Sequence, residues 1–159
     1  MKSAFGILLG GILLFGCRQY ALPNTASAVH SEAMVGVTEV NVHESEIGQF
    51  VFSVTIRSED TGCDRYADWW EIVTEDGELL NRRILAHSHV TQQPFTRSGT
   101  AISLNKDATV IVRAHMQPDG YLPRAAKGTI SDGFFPITLP ATFSAALADV
   151  QPLPDDCAF

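Results

Sequence analysis

Along residues 50–57 the chain alternates: Phe50, Phe52, Val54 and Ile56 fall on one side, Val51, Ser53, Thr55 and Arg57 on the other. That period of two is the signature of a half-buried β-strand. Upstream, Val35 and Val37 are out of step with Val40 and Val42, so a first strand is expected with a slip between the two pairs. Residues 69–73 and 79–86 flank Glu75-Asp76-Gly77. Asp-Gly supplies the positive φ that a tight hairpin turn needs, so a hairpin is predicted there. Residues 91–99, with Pro94 and Gly99, read as a loop, and residues 101–104 as a short strand. Val110, Val112, Ala114 and Met116 share one face of a strand over residues 108–116, which ends at the Pro118-Asp119-Gly120 turn. Weaker strands are expected at 128–131 and 134–139. Phe143, Ala146, Leu147 and Val150 recur at helical spacing and predict one short C-terminal helix. Seven or so short strands, turns every eight to twelve residues and no β–α alternation predict an all-β fold, an antiparallel sandwich of the immunoglobulin or fibronectin-III kind.

The N-terminal pattern is different in kind. Lys2 precedes an apolar run over residues 4–15, which ends in Leu14-Phe15-Gly16-Cys17. The run is about a dozen residues, within the range of a secretory signal and short of the roughly 20 that span a bilayer. Leu14, Gly16 and Cys17 fit a lipobox, in which the cysteine receives the lipid; Phe15 is larger than the small residue usual before Gly16. Residues 1–16 therefore read as a lipoprotein signal peptide, 17–32 as a small, polar tether, and 33–159 as a single domain. The rival is cleavage after Ala28 in Ala26-Ser27-Ala28, which would release a soluble secreted protein. Cys17 lies much closer to the apolar run and is favoured.

Composition narrows the partners. The formal charge is −7 and the largest basic cluster is Arg82-Arg83. A polyanion needs a basic face, so nucleic acid is not expected as a partner. Membrane attachment is expected through the lipid alone, at the outer membrane if the source is Gram-negative, since Arg18 follows the cysteine. With Cys17 lipidated, Cys63 and Cys157 remain as an even pair in an oxidising compartment, and a disulfide between them is expected.

Three histidines are candidates for metal. His87 and His89 are two apart on an extended segment, and His115 precedes Met116 at the end of a predicted strand. Imidazole with thioether suits copper, and three imidazoles suit zinc. The plainer reading is that the histidines bond loop backbone and Met116 fills core. Asp60, Asp64 and Asp68 could offer oxygen ligands to calcium, though not at EF-hand spacing. Trp69 and Trp70 point to opposite sides of a strand: one belongs to the core, while the other, with Arg97 and Tyr121, is a candidate contact for a ligand or partner. A buried Arg113 would need a carboxylate or a loop carbonyl, and one of Arg82 and Arg83, which face opposite ways on a strand, is expected to make a modest surface bridge to Glu71 or Glu78 across the hairpin. No nucleophile elbow, phosphate loop or zinc-protease motif is present in the sequence, so no catalytic residue is assigned and an enzyme is not expected.

The segments Cys63-Asp64-Arg65-Tyr66-Ala67-Asp68-Trp69-Trp70-Glu71, His87-Ser88-His89 and Gln93-Pro94-Phe95-Thr96-Arg97 resemble a group of small uncharacterised bacterial envelope lipoproteins. The resemblance spans roughly the central third and implies location and architecture, not an activity. The sequence thus predicts a lipid-anchored envelope module with a binding or structural role, its ligand unassigned and an envelope protein a candidate partner, without a cofactor. The alternative is a periplasmic protein holding Cu or Zn through His87, His89 and His115.

Overall fold

The computed structural model describes residues 35–158 together with Met1. The signal peptide, the lipidation residue Cys17, the tether and the alternative cleavage site at Ala28 lie outside these residues. Ten strands follow in order: β1 (Gly36–Glu46), β2 (Gln49–Arg57), β3 (Tyr66–Thr74), β4 (Leu79–Ile84), β5 (Phe95–Ser98), β6 (Ile102–Ser103), β7 (Val110–Gln117), β8 (Gly120–Tyr121), β9 (Arg124–Thr129) and β10 (Gly133–Thr138). They form one mixed sheet, nearly closed into a barrel, in the order β4-β3-β7-β9-β1-β2-β5. β10 pairs with β9, β6 with β2 and β8 with β7. A 3-10 turn at Ala145–Asp149 stands where the helical spacing predicted a short helix.

The sheet has two limbs. β1, β2, β5 and β6 make one; β3, β4, β7, β8, β9 and β10 make the other. They join at a single parallel pair, Gly36 with Arg124. There the backbone of Gly36 (φ 129°) runs so close to Arg124 that a Cβ would lie 2.1 Å from its carbonyl oxygen. Only glycine fits that approach. At the opposite margin β4 and β5 are linked by side chains instead of a backbone ladder. Arg83 Nε donates to the Ser98 carbonyl at 3.0 Å, and Asn81 Nδ2 donates to Thr100 Oγ1 at 3.3 Å.

The main core lies between the limbs. Phe50, Phe52, Val54 and Ile56 of β2 meet Trp70 and Ile72 of β3 and Val110, Val112, Ala114 and Met116 of β7. The alternation in β2 is realised as buried and half-buried positions. The anticipated slip in β1 is a register shift between Val37 and Glu39. Two expectations need correcting. Part of the predicted 91–99 loop is β5, which pairs with β2; Pro94 precedes the strand, where its missing N–H does no harm. The strand expected at 128–131 begins earlier, at Arg124, because small Ala125 and Ala126 pack under neighbouring layers.

β3 and β7 are buried on both faces. Their second face is covered by the segment that follows β10. Leu139, Phe143 and Leu147 pack on Val73, Ile111 and Ala125. Cys63 and Cys157, 94 positions apart, are joined in a disulfide. In the chain-entropy account a closed loop of that length stabilises by about 4–5 kcal/mol.

Candidate functional site

Because side chains alternate along a strand, Trp69 and Glu71 of β3 share the face opposite the main core. Register brings Glu71 opposite Arg82 on one side and Arg113 on the other, and Trp69 opposite His115. Three ionised groups therefore meet in the middle of a buried sheet. Arg82 Nη2 lies 2.6 Å from Glu71 Oε2, and Arg113 Nη2 lies 2.7 Å from Oε1. Each carboxylate oxygen serves one guanidinium, which is the fully bonded arrangement a buried ion cluster requires.

Two guanidinium groups against one carboxylate leave an excess of donors. The covering segment supplies the acceptors. Arg82 donates to the carbonyls of Leu147, Val150 and Pro152, and Arg113 to those of Phe143 and Ser144. Aromatic faces complete the shell: the Arg82 guanidinium lies 4.5 Å from the Trp69 ring, and that of Arg113 lies 3.5 Å from Tyr121. Arg113 thus finds both a carboxylate and loop carbonyls. The surface bridge expected of Arg82 or Arg83 is made by Arg82 to Glu71 and is instead wholly buried, since the segment over residues 139–158 covers it.

Beside this cluster His115 stacks on Trp69, with ring centroids 3.8 Å apart, and its Nδ1 lies 2.7 Å from Asp68 Oδ1. Tyr121 meets His115 edge to face at 5.0 Å. Burial first, then the neighbouring charge of Glu71, pushes the Tyr121 phenol up to about 12. Its hydroxyl and the Trp69 indole N–H are buried without a hydrogen-bond partner among the described residues. Trp70, on the other face, is core.

The other two candidate histidines, His87 and His89, lie on a loop between β4 and β5. His89 is buried and stacked on Phe95 at 3.7 Å. Its Nε2 lies 2.7 Å from Arg97 Nη2, so the ring nitrogen accepts and the imidazole is neutral. Burial, then the charges of Arg97 and His87, hold its pKa down at about 4. His87 is exposed, with its ring 4.5 Å from that of His89. Asp60 organises the loop: its carboxylate accepts from Ser58 Oγ and from the backbone N–H groups of Ala67 and His89.

The structure therefore brings His87 and His89 together, but gives His115 to the Asp68–Trp69–Tyr121 group. Among the described residues no group of three or more His, Cys, Asp or Glu is placed to hold a metal ion. Asp60, Asp64 and Asp68 likewise have separate surroundings: two are engaged as above and Asp64 is exposed. Trp69 and Tyr121 do converge, but Arg97 belongs with His89. The sequence reading did not see Glu71 as the hub; the signal was a carboxylate within Trp69–Val73 placed by hairpin register opposite Arg82.

An open cleft of about 330 Å³ flanks the disulfide. Cys63, Cys157, Asp64, Asp155, Asp156 and Tyr66 are on its wall.

No defined protein family matches the chain. No solved structure matches it either. Over 70 residues it is 49% identical to a protein of Halomicrobium mukohataei named "Putative lipoprotein". That stretch covers 44% of this chain and 34% of the relative, so the chain matches about a third of the relative's length.

Proposed function

We propose that this protein is a lipid-anchored module of the cell envelope, with a binding or structural role and no catalytic one. The observation that carries the reading is the apolar run ending at Cys17, joined to the similarity with a protein whose name is that of a lipoprotein. A disulfide in a small β domain suits an exported protein. Among the described residues no helix is long and apolar enough to cross a membrane.

The architecture supports the same reading. We read the two limbs of the nearly closed sheet as the layers of a β-sandwich of the immunoglobulin or fibronectin-III kind, a reading supported by the apolar core between them. Many cell-surface modules are built this way. Fold alone does not assign a function. The ionisable groups of the β3–β7 face are bonded to one another and to backbone, as befits a structural cluster.

The test is detergent phase partitioning of the full chain expressed with a labelled palmitate. The expected result is label incorporation and recovery in the detergent phase, both abolished by Cys17→Ala. Recovery of unlabelled wild-type protein in the aqueous phase, with a mature N-terminus at Val29, would overturn the anchor.

A further inference from the structure

The segment over residues 139–158 covers charge, and this decides what happens if it lifts. No residue of its 3-10 turn is buried. It pairs with no strand. Its ties are the five carbonyls that accept from Arg82 and Arg113, backbone bonds from Leu139 N–H to the Pro123 carbonyl at 2.9 Å and from Ala158 N–H to the Ala86 carbonyl at 2.6 Å, the contacts of Leu139, Phe143 and Leu147 with the small outer cluster, and the Cys63–Cys157 bond.

Lifting a cover from an apolar core exposes surface that water disfavours. Here a carboxylate and two guanidinium groups are uncovered beside a small apolar cluster of Val73, Ile111 and Ala125. Glu71 keeps both ion pairs when the segment leaves, because Arg82 and Arg113 belong to β4 and β7. The guanidinium N–H groups then pass from carbonyls to water, and the desolvation cost of a buried ion cluster is relieved. The main core lies on the opposite face of β3 and β7 and is not uncovered. An element with few buried apolar contacts is the kind that opens locally. The covalent bond is what limits this opening.

That bond is reachable. Both cysteines line the open cleft, together with Asp64, Asp155 and Asp156. A thiolate attacking there meets three carboxylates, so an anionic reductant is repelled over a distance of about one Debye length, roughly 10 Å at 0.1 M salt.

We propose that residues 139–158 form a latch over the Arg82–Glu71–Arg113 cluster, locked by Cys63–Cys157 and opened by a dithiol reductant that enters through the acidic cleft. A reductant thiolate attacks one cysteine sulfur. The S–S bond breaks, and its electron pair leaves on the other sulfur, which takes a proton from water. The reductant's second thiol then displaces the protein sulfur from the mixed disulfide. The dithiol is oxidised by two electrons, and Cys63 and Cys157 become thiols. The opened face presents two guanidinium groups, one carboxylate, Trp69 and Tyr121. This inference is independent of the lipid anchor.

The experiment is hydrogen–deuterium exchange of the full chain before and after treatment with dithiothreitol, a neutral dithiol, with the Cys63→Ala/Cys157→Ala variant alongside. Peptides spanning 143–158 are expected to exchange at least tenfold faster on reduction, and to recover on reoxidation, while peptides of β2 and β7 keep their protection. Unchanged exchange over 143–158 overturns the latch. So does loss of protection in β2 and β7 in the same step, which would make the bond a staple of the whole fold. The route has its own readout. At low salt 2-mercaptoethanol is expected to form the mixed disulfide several-fold faster than anionic 2-mercaptoethanesulfonate, with the ratio approaching one at about 1 M salt. Equal rates at low salt exclude the acidic cleft as the way in.

Discussion

Glu71 receives Arg82 on one carboxylate oxygen and Arg113 on the other, and none of the three side chains is more than 1% exposed. Removing the carboxylate leaves two guanidinium groups buried side by side. Breaking a buried ion cluster in this way costs about 3–5 kcal/mol. Glu71→Ala is therefore expected to lower the urea midpoint sharply at neutral pH. A midpoint within experimental error of wild type would show that the cluster is hydrated in solution.

The surface pairs are the contrast. Lys106 Nζ lies 2.9 Å from Glu44 Oε2, with both side chains well exposed. An exposed pair of this kind contributes little, because water and salt screen it. Lys106→Gln is expected to leave the same midpoint nearly unchanged, and any shift should shrink further in high salt. A loss as large as that of Glu71→Ala would contradict the exposure assigned to the pair.

His89 links stability to acid. Its folded-state pKa of about 4 lies below the ordinary value of 6.5. Below pH 6.5 the unfolded chain takes up a proton that the folded chain refuses, so stability falls as the pH drops from about 7 to about 4 and this contribution is flat above that window. The loss is bounded at about 3 kcal/mol. His89→Gln, which cannot titrate, is expected to show a shallower pH dependence over that window in denaturant titrations. Arg97→Gln removes one of the charges that depress the ring and is expected to raise the pKa read from the histidine NMR resonance.

Gly36 is the joint between the limbs. A Cβ there would overlap the Arg124 carbonyl, and its φ of 129° is one that side chains rarely adopt. Gly36→Ala is expected to lower the melting temperature by several degrees at least, through both the clash and the backbone conformation. Gly120→Ala, where a Cβ would meet nothing within 4 Å, has only the φ of 94° against it and is expected to cost less. Thermal melts of the two variants side by side give the comparison.

The strands with one wet face were legible in the sequence. Phe50, Phe52, Val54 and Ile56 mark β2, and Asp76-Gly77 marks the turn before β4, because alternation and positive φ are local properties. The pairing of Cys63 with Cys157 followed from parity and compartment. β5 was missed because four residues beside Pro94 carry too little pattern. The second buried face of β3 and β7 was missed for a different reason. It exists only because residues 139–158 fold back over it, and a carboxylate in an apolar strand looks like a surface residue until its two arginines are placed. The separation of His115 from His87 and His89 was hidden for the same reason. His-x-His spacing says two rings are near one another, but nothing local says that His115 belongs to Asp68 and Trp69.

Sheet margins invite other chains, because their N–H and C=O groups are unspent. In this molecule the margins at β4 and β5 face one another across a slit stitched by Arg83 and Asn81. A foreign strand would have to prise that stitching apart before it could add to either side. The unfinished cylinder thereby protects itself from fibrillar stacking at that margin, with two side chains doing what a final hydrogen-bonded rung would otherwise do.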